Sequence, residues 1–170
     1  LMISEIKFRK ATQDDADKIW EILQQAIERR RLDNSQQWQN GYPNPETVHS
    51  DIEKQIGYVL VENDNVVAYS AVILNDEPAY ENIEGKWLSD GDFNVVHRLA
   101  VSDEVAGKGY ATEIFRRIED LSRQNGIFSV KVDTNFDNAA MLHLLKKLGY
   151  TYCGEVYLAG GERKAFEKLL

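Results

Sequence analysis

Phe93-Asn94-Val95-Val96-His97-Arg98-Leu99-Ala100-Val101, continued by Ser102-Asp103-Glu104-Val105-Ala106-Gly107-Lys108-Gly109-Tyr110-Ala111, is the stretch whose reading decides the fold. Its first nine residues are β-branched and aromatic enough to form a strand, with Phe93, Val95, His97, Leu99 and Val101 expected on one face. Ser102 to Ala106 is polar, and beyond it Tyr110, Ile114, Ile118 and Leu121 recur at helical spacing. Glycines therefore stand just ahead of a helix N-terminus. The first amides of a helix lack intrahelical partners, the aligned peptide dipoles favour negative charge, and small residues let an anion approach the bare backbone. A phosphate suits such a place.

Glycine is also the default residue of any tight turn, so context must narrow the reading. A nucleotide loop with Gly-Lys-Ser/Thr is excluded because Tyr110 follows Gly109. The dinucleotide fingerprint is excluded by its glycine spacing and by the lack of an acidic residue closing a following strand at the required distance.

Ala106-Gly107-Lys108-Gly109-Tyr110-Ala111 resembles motif A of the GNAT superfamily of acetyl-CoA-dependent N-acetyltransferases, written Gln/Arg-x-x-Gly-x-Gly/Ala, and matches it at Gly109 and Ala111. Ala106 departs from it, which removes one side-chain contribution to diphosphate binding. Asn138-Ala139-Ala140-Met141-Leu142-His143-Leu144-Leu145-Lys146-Lys147-Leu148-Gly149-Tyr150 is similar to motif B, an Asn, a helix and Lys-x-Gly-Phe/Tyr. The two motifs stand in the family's order and at its separation. The resemblance implies acetyl-CoA as cosubstrate, with Leu99, Ala100 and Val101 offering main-chain groups to pantetheine and the acetyl carbonyl. It implies Ala106, Gly107, Lys108, Gly109, Tyr110, Ala111 and Thr112 at the diphosphate, and Asn138 as a further contact. On its residues alone, Asn138 is simply a good helix cap, and Lys108 could equally be solvated.

A chain of 170 residues, 43% apolar and 28% charged, is expected to form one domain over 1–170, with a core and a ligand cleft. No apolar run approaches the ~20 residues of a membrane span, and charged residues stand where a signal peptide needs its apolar core, so a cytoplasmic location is expected. The net charge of −8 opposes nucleic acid and anionic membranes as partners and favours cationic ones, with a homodimer an admissible assembly. The one cysteine, Cys153, reads as a core residue rather than a nucleophile.

Along the chain, Ile3 to Lys10 reads as a strand and Thr12 as the cap of a helix whose stripe is Ile19, Ile22, Leu23, Ala26 and Ile27. Arg29-Arg30-Arg31 suits that helix's C-terminus better than a nucleic-acid patch. Leu32 to Asn44 is a loop whose Trp38 and Tyr42 either staple it to the core or wall an acceptor site. Asn44-Pro45 starts a second helix running to about Gln55 and stopped at Gly57, with His49 on its surface. Tyr58–Glu62 and Val66–Leu74 form a hairpin. Asn75 to Gly91 is long enough to be a second acceptor wall, through Tyr80 and Glu81, or an ordinary covering loop. Ile127 to Asp133 should run parallel to the Phe93–Val101 strand. His143 should face solvent. The last segments read as a hairpin about Ala159-Gly160-Gly161, although Arg163–Lys168 is helical by propensity. The sum is an α/β fold: a mixed, mostly antiparallel sheet of about seven strands flanked by about four helices. The resemblance adds a splay between the fourth strand and the fifth, into which pantetheine inserts.

The reaction implied by the resemblance is direct attack of a primary amine on the thioester, without a covalent enzyme intermediate and without a metal. The acidic chain and the aromatic loops point to a small cationic acceptor met by Trp38, Tyr42, Tyr80 and Glu81. Acetylation of a protein N-terminus or lysine, or acetyl-CoA binding without turnover, are the alternatives. His97 is the candidate base, since imidazole titrates near neutrality; the other reading has it packed beneath the sheet or bonded to Asp92. The family's usual general acid, a tyrosine seven residues after the motif B asparagine, is Leu145 here. Either the thiolate leaves unassisted or Tyr150 or Tyr152 substitutes.

Overall fold

The computed structural model describes residues 5–170. Strands β1 (Ile6–Lys10), β2 (Gly57–Glu62), β3 (Asn65–Leu74), β4 (Glu84–Gly85), β5 (Asn94–Val101), β6 (Ser129–Thr134), β7 (Thr151–Leu158) and β8 (Gly161–Leu169) form one sheet in the order β1-β2-β3-β5-β6-β8-β7-β4. Helices α1 (Ala16–Leu32), α2 (Pro45–Glu53), α3 (Tyr110–Gln124) and α4 (Ala139–Lys147) complete it. The expected fold class is observed, with β4 as an additional short strand. The final segment is strand: the Ala159-Gly160 turn lets β8 pair along both β7 and β6, and that ladder outweighs local helix propensity. Ile3 lies outside the described residues.

Each element follows from local chemistry with small corrections. Thr12 opens a 3-10 turn at Gln13–Asp15 before α1, its amide donating to Asp15 Oδ2 at 2.8 Å. Asn44 caps α2 by accepting from the Thr47 amide at 2.9 Å, but the helix ends two residues early. Gln55, not Gly57, takes the left-handed turn (φ 59°). Gly57 belongs to β2, where a Cβ would stand 3.0 Å from the Tyr69 hydroxyl. Asn63 and Asp64 both have positive φ, the geometry of a two-residue hairpin turn between β2 and β3.

The core lies on both faces of the sheet. Tyr110, Ile114, Phe115 and Ile118 of α3 pack with Val96, Leu99, Val130 and Val132 on one face, and Ile19, Ile22, Leu23 and Ala26 of α1 pack with Val59, Tyr69 and Ala100 on the other. Burying each of the Val, Leu, Ile and Phe side chains among these contributes about 1.5–3 kcal/mol.

β5 does not keep a single alternation. Its pairing with β3 shifts between Ala71↔His97 and Tyr69↔Ala100, and Arg98 has φ 55°. One extra residue at this bulge changes faces, so Val96 and Leu99 share the α3 side while Ala100 turns to α1. The single face expected for Phe93, Val95, His97, Leu99 and Val101 is thus broken at Arg98. Left-handed backbone is strained for a residue with a Cβ, and a buried ion pair holds it: Arg98 Nε and Nη2 donate to Asp51 Oδ2 and Oδ1 at 2.8 and 2.7 Å, and Nη1 donates to the Tyr42 hydroxyl at 2.6 Å. Tyr69 donates to Asp51 as well, at 2.6 Å.

Beyond the bulge β5 parts from β6. Parallel pairing runs only from Asn94 to Val96 against Val130 to Val132. The chain from β3 to β5 crosses to the far edge of the sheet, where β4 pairs with β7. Gly85 and Gly154 meet there so closely that a Cβ on either would fall 2.1 Å from a carbonyl oxygen.

Replacing Asp51 with Ala leaves the Arg98 guanidinium buried and uncompensated, and should lower the unfolding free energy by about 3–5 kcal/mol. Urea titration of the two proteins checks this; a loss below about 1 kcal/mol would show that the bulge stands without the pair.

Candidate active site

Two recesses open where β5 and β6 diverge. The larger, about 540 Å³, is lined by Val96 to Leu99 of β5, Val132 to Thr134 of β6, and Trp38, Tyr42 and Glu77 from the loops. The smaller, about 460 Å³, is lined by Leu99 to Val101, Ala111 and the Asn138 to Lys147 side of α4. Arg30, Leu99, Asn138 and Met141 border both, so the recesses adjoin.

Ala111, which lines the smaller recess, lies in the first turn of α3; just ahead of it Gly107 (φ 77°) and Gly109 (φ 81°) are left-handed, and Gly109 is the N-cap of the helix. Lys108 and Ala106 donate their amides to Val105 and Asp103. The amides of Gly107, Gly109, Tyr110, Ala111 and Thr112 have no acceptor among the described residues. No heavy atom lies within 4 Å of where a Cβ on either glycine would stand. This is an open cradle of donors at a positive dipole end. The Lys108 and Ala106 side chains are exposed beside it, while Tyr110 is buried with its hydroxyl bonded to Glu62. From His97 onward β5 has no β6 partner for its main chain. Arg29 Nη2 reaches the Val101 carbonyl at 2.9 Å. Asn138 caps α4, accepting from the Met141 amide at 3.2 Å, and its Nδ2 donates to Gln37 at 2.9 Å, a link across the cleft.

His97 stands in the larger recess with its side chain 15% exposed, and Nε2 lies 2.9 Å from Glu77 Oε2. The acid beside His97 is therefore Glu77; Asp92 accepts from Asn75 instead. The hydrogen bond from His97 holds the Glu77 carboxyl below the usual glutamate range. Next to this pair, the Tyr80 hydroxyl donates to Asp133 Oδ2 at 2.6 Å. Burial pushes the Asp133 carboxyl up, opposed by the charges of His97 and Arg163, and burial drives the Tyr80 hydroxyl well up.

Trp38 and Tyr42 both line the larger recess, Trp38 under the Arg30 guanidinium at 3.9 Å and Tyr42 with its hydroxyl on Arg98. Tyr80 is 2% exposed and Glu81 faces solvent outside the lining, so the 75–91 connection meets the recess through Glu77 in place of Glu81. Leu145 is wholly buried in the core. Tyr150 is buried with its hydroxyl on Glu119 at 2.9 Å, Tyr152 is half-exposed, and neither lines a recess. Neither offers the hydroxyl expected of a substitute acid. His49 is exposed on Gln13, and His143 is exposed at the rim of the smaller recess. No group of three or more His, Cys, Asp or Glu among the described residues could hold a metal. No helix among them is long and apolar enough to cross a membrane.

Glu77, Asp133, Arg98 and Arg163 were not foreseen in the sequence. Asp133 carried a signal, as the acid closing the strand parallel to β5; Glu77 sits in an irregular connection and had none.

Comparison with known proteins decides the family. The model of the acetyltransferase (GNAT) family matches residues 17–150. The chain belongs to this family. A GNAT-family acetyltransferase from Streptococcus agalactiae is 33% identical, with 97% of this chain and 95% of that one covered and a TM-score of 0.88. A GNAT-family acetyltransferase from Listeria monocytogenes, 15% identical with 99% of each chain covered (TM-score 0.78), shares the fold. So does the ribosomal-protein-S18-alanine N-acetyltransferase of Escherichia coli, 14% identical with 96% and 91% covered (TM-score 0.64). No curated protein matches the sequence. The GNAT chain is thus an acyltransferase, and the family's cosubstrate is acetyl-CoA.

The His97–Glu77 pair has a pH signature. Because the folded Glu77 value is the lowered one, its contribution to stability is full above the ordinary glutamate pKa of about 4.3 and is lost as the pH falls through the lowered value. The Tm advantage of wild type over Glu77→Gln should therefore shrink as the pH falls below about 4. Calorimetric scans across this range check it; a gap that does not shrink would mean that the carboxylate is not linked to folding.

Proposed function

We propose that this GNAT enzyme forms one N-acetyltransferase domain over residues 1–170 and acetylates the primary amine of a small molecule bound in the larger recess as its ammonium. The adjoining of the two recesses at Leu99 carries the reading: one meets the donor turn at Ala111 and the edge of β5 that β6 leaves uncovered, the other holds an imidazole–carboxylate pair.

The free amides of Gly107 and of Gly109 to Thr112 fit a diphosphate, and the edge of β5 that β6 leaves uncovered at Leu99, Ala100 and Val101 fits pantetheine and the acyl carbonyl, with the Val101 carbonyl shared with Arg29. Ala106 adds no side-chain donor, and Lys108 stands close enough in sequence to add charge. Asn138 orders this wall through its cap and its link to Gln37. Acetyl-CoA supplies an activated acyl carbon there.

An alkylammonium is ~99.9% protonated at neutral pH, and removing its proton costs roughly 4–5 kcal/mol. His97 takes that proton. With Nε2–H donated to Glu77, Nδ1 keeps the lone pair that serves as base. The freed amine nitrogen bonds to the acyl carbon and gives up its second proton to water, the C–S bond breaks, and the electron pair leaves on sulfur as a thiolate. No hydroxyl stands at Leu145, and the modest pKa of the thiol lets it depart unassisted. The faces of Trp38 and Tyr42 favour the cationic end of the acceptor, whereas Glu81 is turned away from it.

Two variants test the assignment. Gly109→Val puts a β-branched side chain at φ 81° and over the donor cradle, and should weaken acetyl-CoA binding by tenfold or more in calorimetry while the fold persists. Unchanged affinity would remove the cradle from the site. His97→Gln should keep acetyl-CoA affinity, lower kcat/KM by about 10²-fold and abolish the acidic limb of its pH profile, measured as CoA release across an amine panel. Persistence of the limb would assign the proton to another group, and binding of acetyl-CoA without CoA release for any amine would leave a binding module.

A further inference from the structure

The larger recess carries charges of both signs, and the two signs are not equally satisfied. Its inner carboxylates are engaged: Asp51 by Arg98, Glu77 by His97 and Asp133 by the Tyr80 hydroxyl, while Asp76 is exposed at the rim. Lys54 is likewise exposed at the rim. Two guanidiniums inside, Arg30 and Arg163, have no carboxylate within ion-pair distance among the described residues. Arg30 lies on Trp38, donates Nη1 to the Ala26 carbonyl at 3.1 Å, and has a buried Nε with no partner. Burial lowers its guanidinium to about 10.

Arg163 is better placed for an acceptor. It projects from β8 beside the hairpin turn, where a Cβ on Gly160 would fall 2.7 Å from Nη2 and the glycine leaves room. Its hydrogen bonds among the described residues both come from Nη1, to Asn135 Oδ1 at 2.7 Å and to the Glu162 carbonyl at 3.4 Å. Nε and Nη2 remain available. Arg163, His97 and Asp133 all line the larger recess, so the imidazole and the guanidinium open into one cavity.

A half-buried guanidinium with spare donors and no counter-ion favours a ligand that brings one, and its planar fork matches a carboxylate. We infer that the acceptor is an amino acid or a close analogue, with its amine beside His97 and Glu77 and its carboxylate on Arg163. This rests on the reading of His97 as the base, and it names the chemistry of the acceptor's other end. An overall zwitterion also accounts for a recess lined by both signs, which a polyamine would not need. Its volume of about 540 Å³ suits a molecule of that size.

The test uses matched triplets with acetyl-CoA: amino acids of increasing amine–carboxylate separation, each with its carboxamide and its decarboxylated amine. The expected result is a kcat/KM for one or more amino acids at least tenfold above both partners. Arg163→Met should erase this gap by raising KM for the carboxylate member at least tenfold more than for the carboxamide and the decarboxylated amine, with little change in kcat, and should bind acetyl-CoA as wild type does, which shows that it is folded. Arg163→Lys should recover part of the gap. Equal turnover within each triplet, or a gap that persists in Arg163→Met, overturns the carboxylate assignment and leaves acetyl transfer standing. Absence of CoA release with every amine overturns both.

Discussion

The buried pair between Arg98 and Asp51 is the constraint on which the site depends. It fastens a strand of the central sheet to helix α2, through two charge-assisted bonds, at the residue where that strand is left-handed. Without the bulge, β5 would keep its alternation and present Arg98, not Leu99, to the α3 core. With it, the strand turns its main chain away from β6 as the two diverge, and both recesses exist because of that divergence. The same pair draws in Tyr42 and Tyr69, so the loop that walls the larger recess and the strand that floors it share one anchor.

Electrostatics within the recess are layered. The pair at His97 sits beside the Tyr80–Asp133 pair, where burial works against the carboxylate charge. A proton arriving at His97 therefore enters a neighbourhood with two acidic groups of different character, one held low and one pushed up. Removing water from such a group of charges strengthens each interaction within it.

Periodicity and turn chemistry made most of the fold legible: the hydrophobic stripe of α3, the Asn-Asp hairpin between β2 and β3, the Asn44 cap and the Gly-Gly turn before β8 all act within a few residues. The cradle at Gly107–Thr112 was legible for the same reason, being one glycine-bearing turn and the helix that follows. What escaped is non-local. The bulge depends on Asp51, 47 residues away from Arg98. Glu77 reaches His97 only because the connection after β3 turns back before it crosses the sheet, and Arg163 arrives through the β7–β8 hairpin. Glu81 beside Tyr80 looked like a cation site because adjacency in sequence says nothing about which way a 3-10 turn points its side chains. Thirteen residues of apparently plain loop, from Leu32 to Asn44, likewise hold Trp38 in a left-handed conformation that no propensity announces.

The connection between β3 and β5 acts mechanically as a belt. It leaves one half of the sheet, passes His97, and fastens at β4 to the outermost strand of the other half, through backbones so near that only glycine fits at Gly85 and Gly154. Swinging the two halves apart would strip that fastening before it enlarged the cleft. The belt therefore opposes widening of the gape between β5 and β6 and favours guests that fit the width already there.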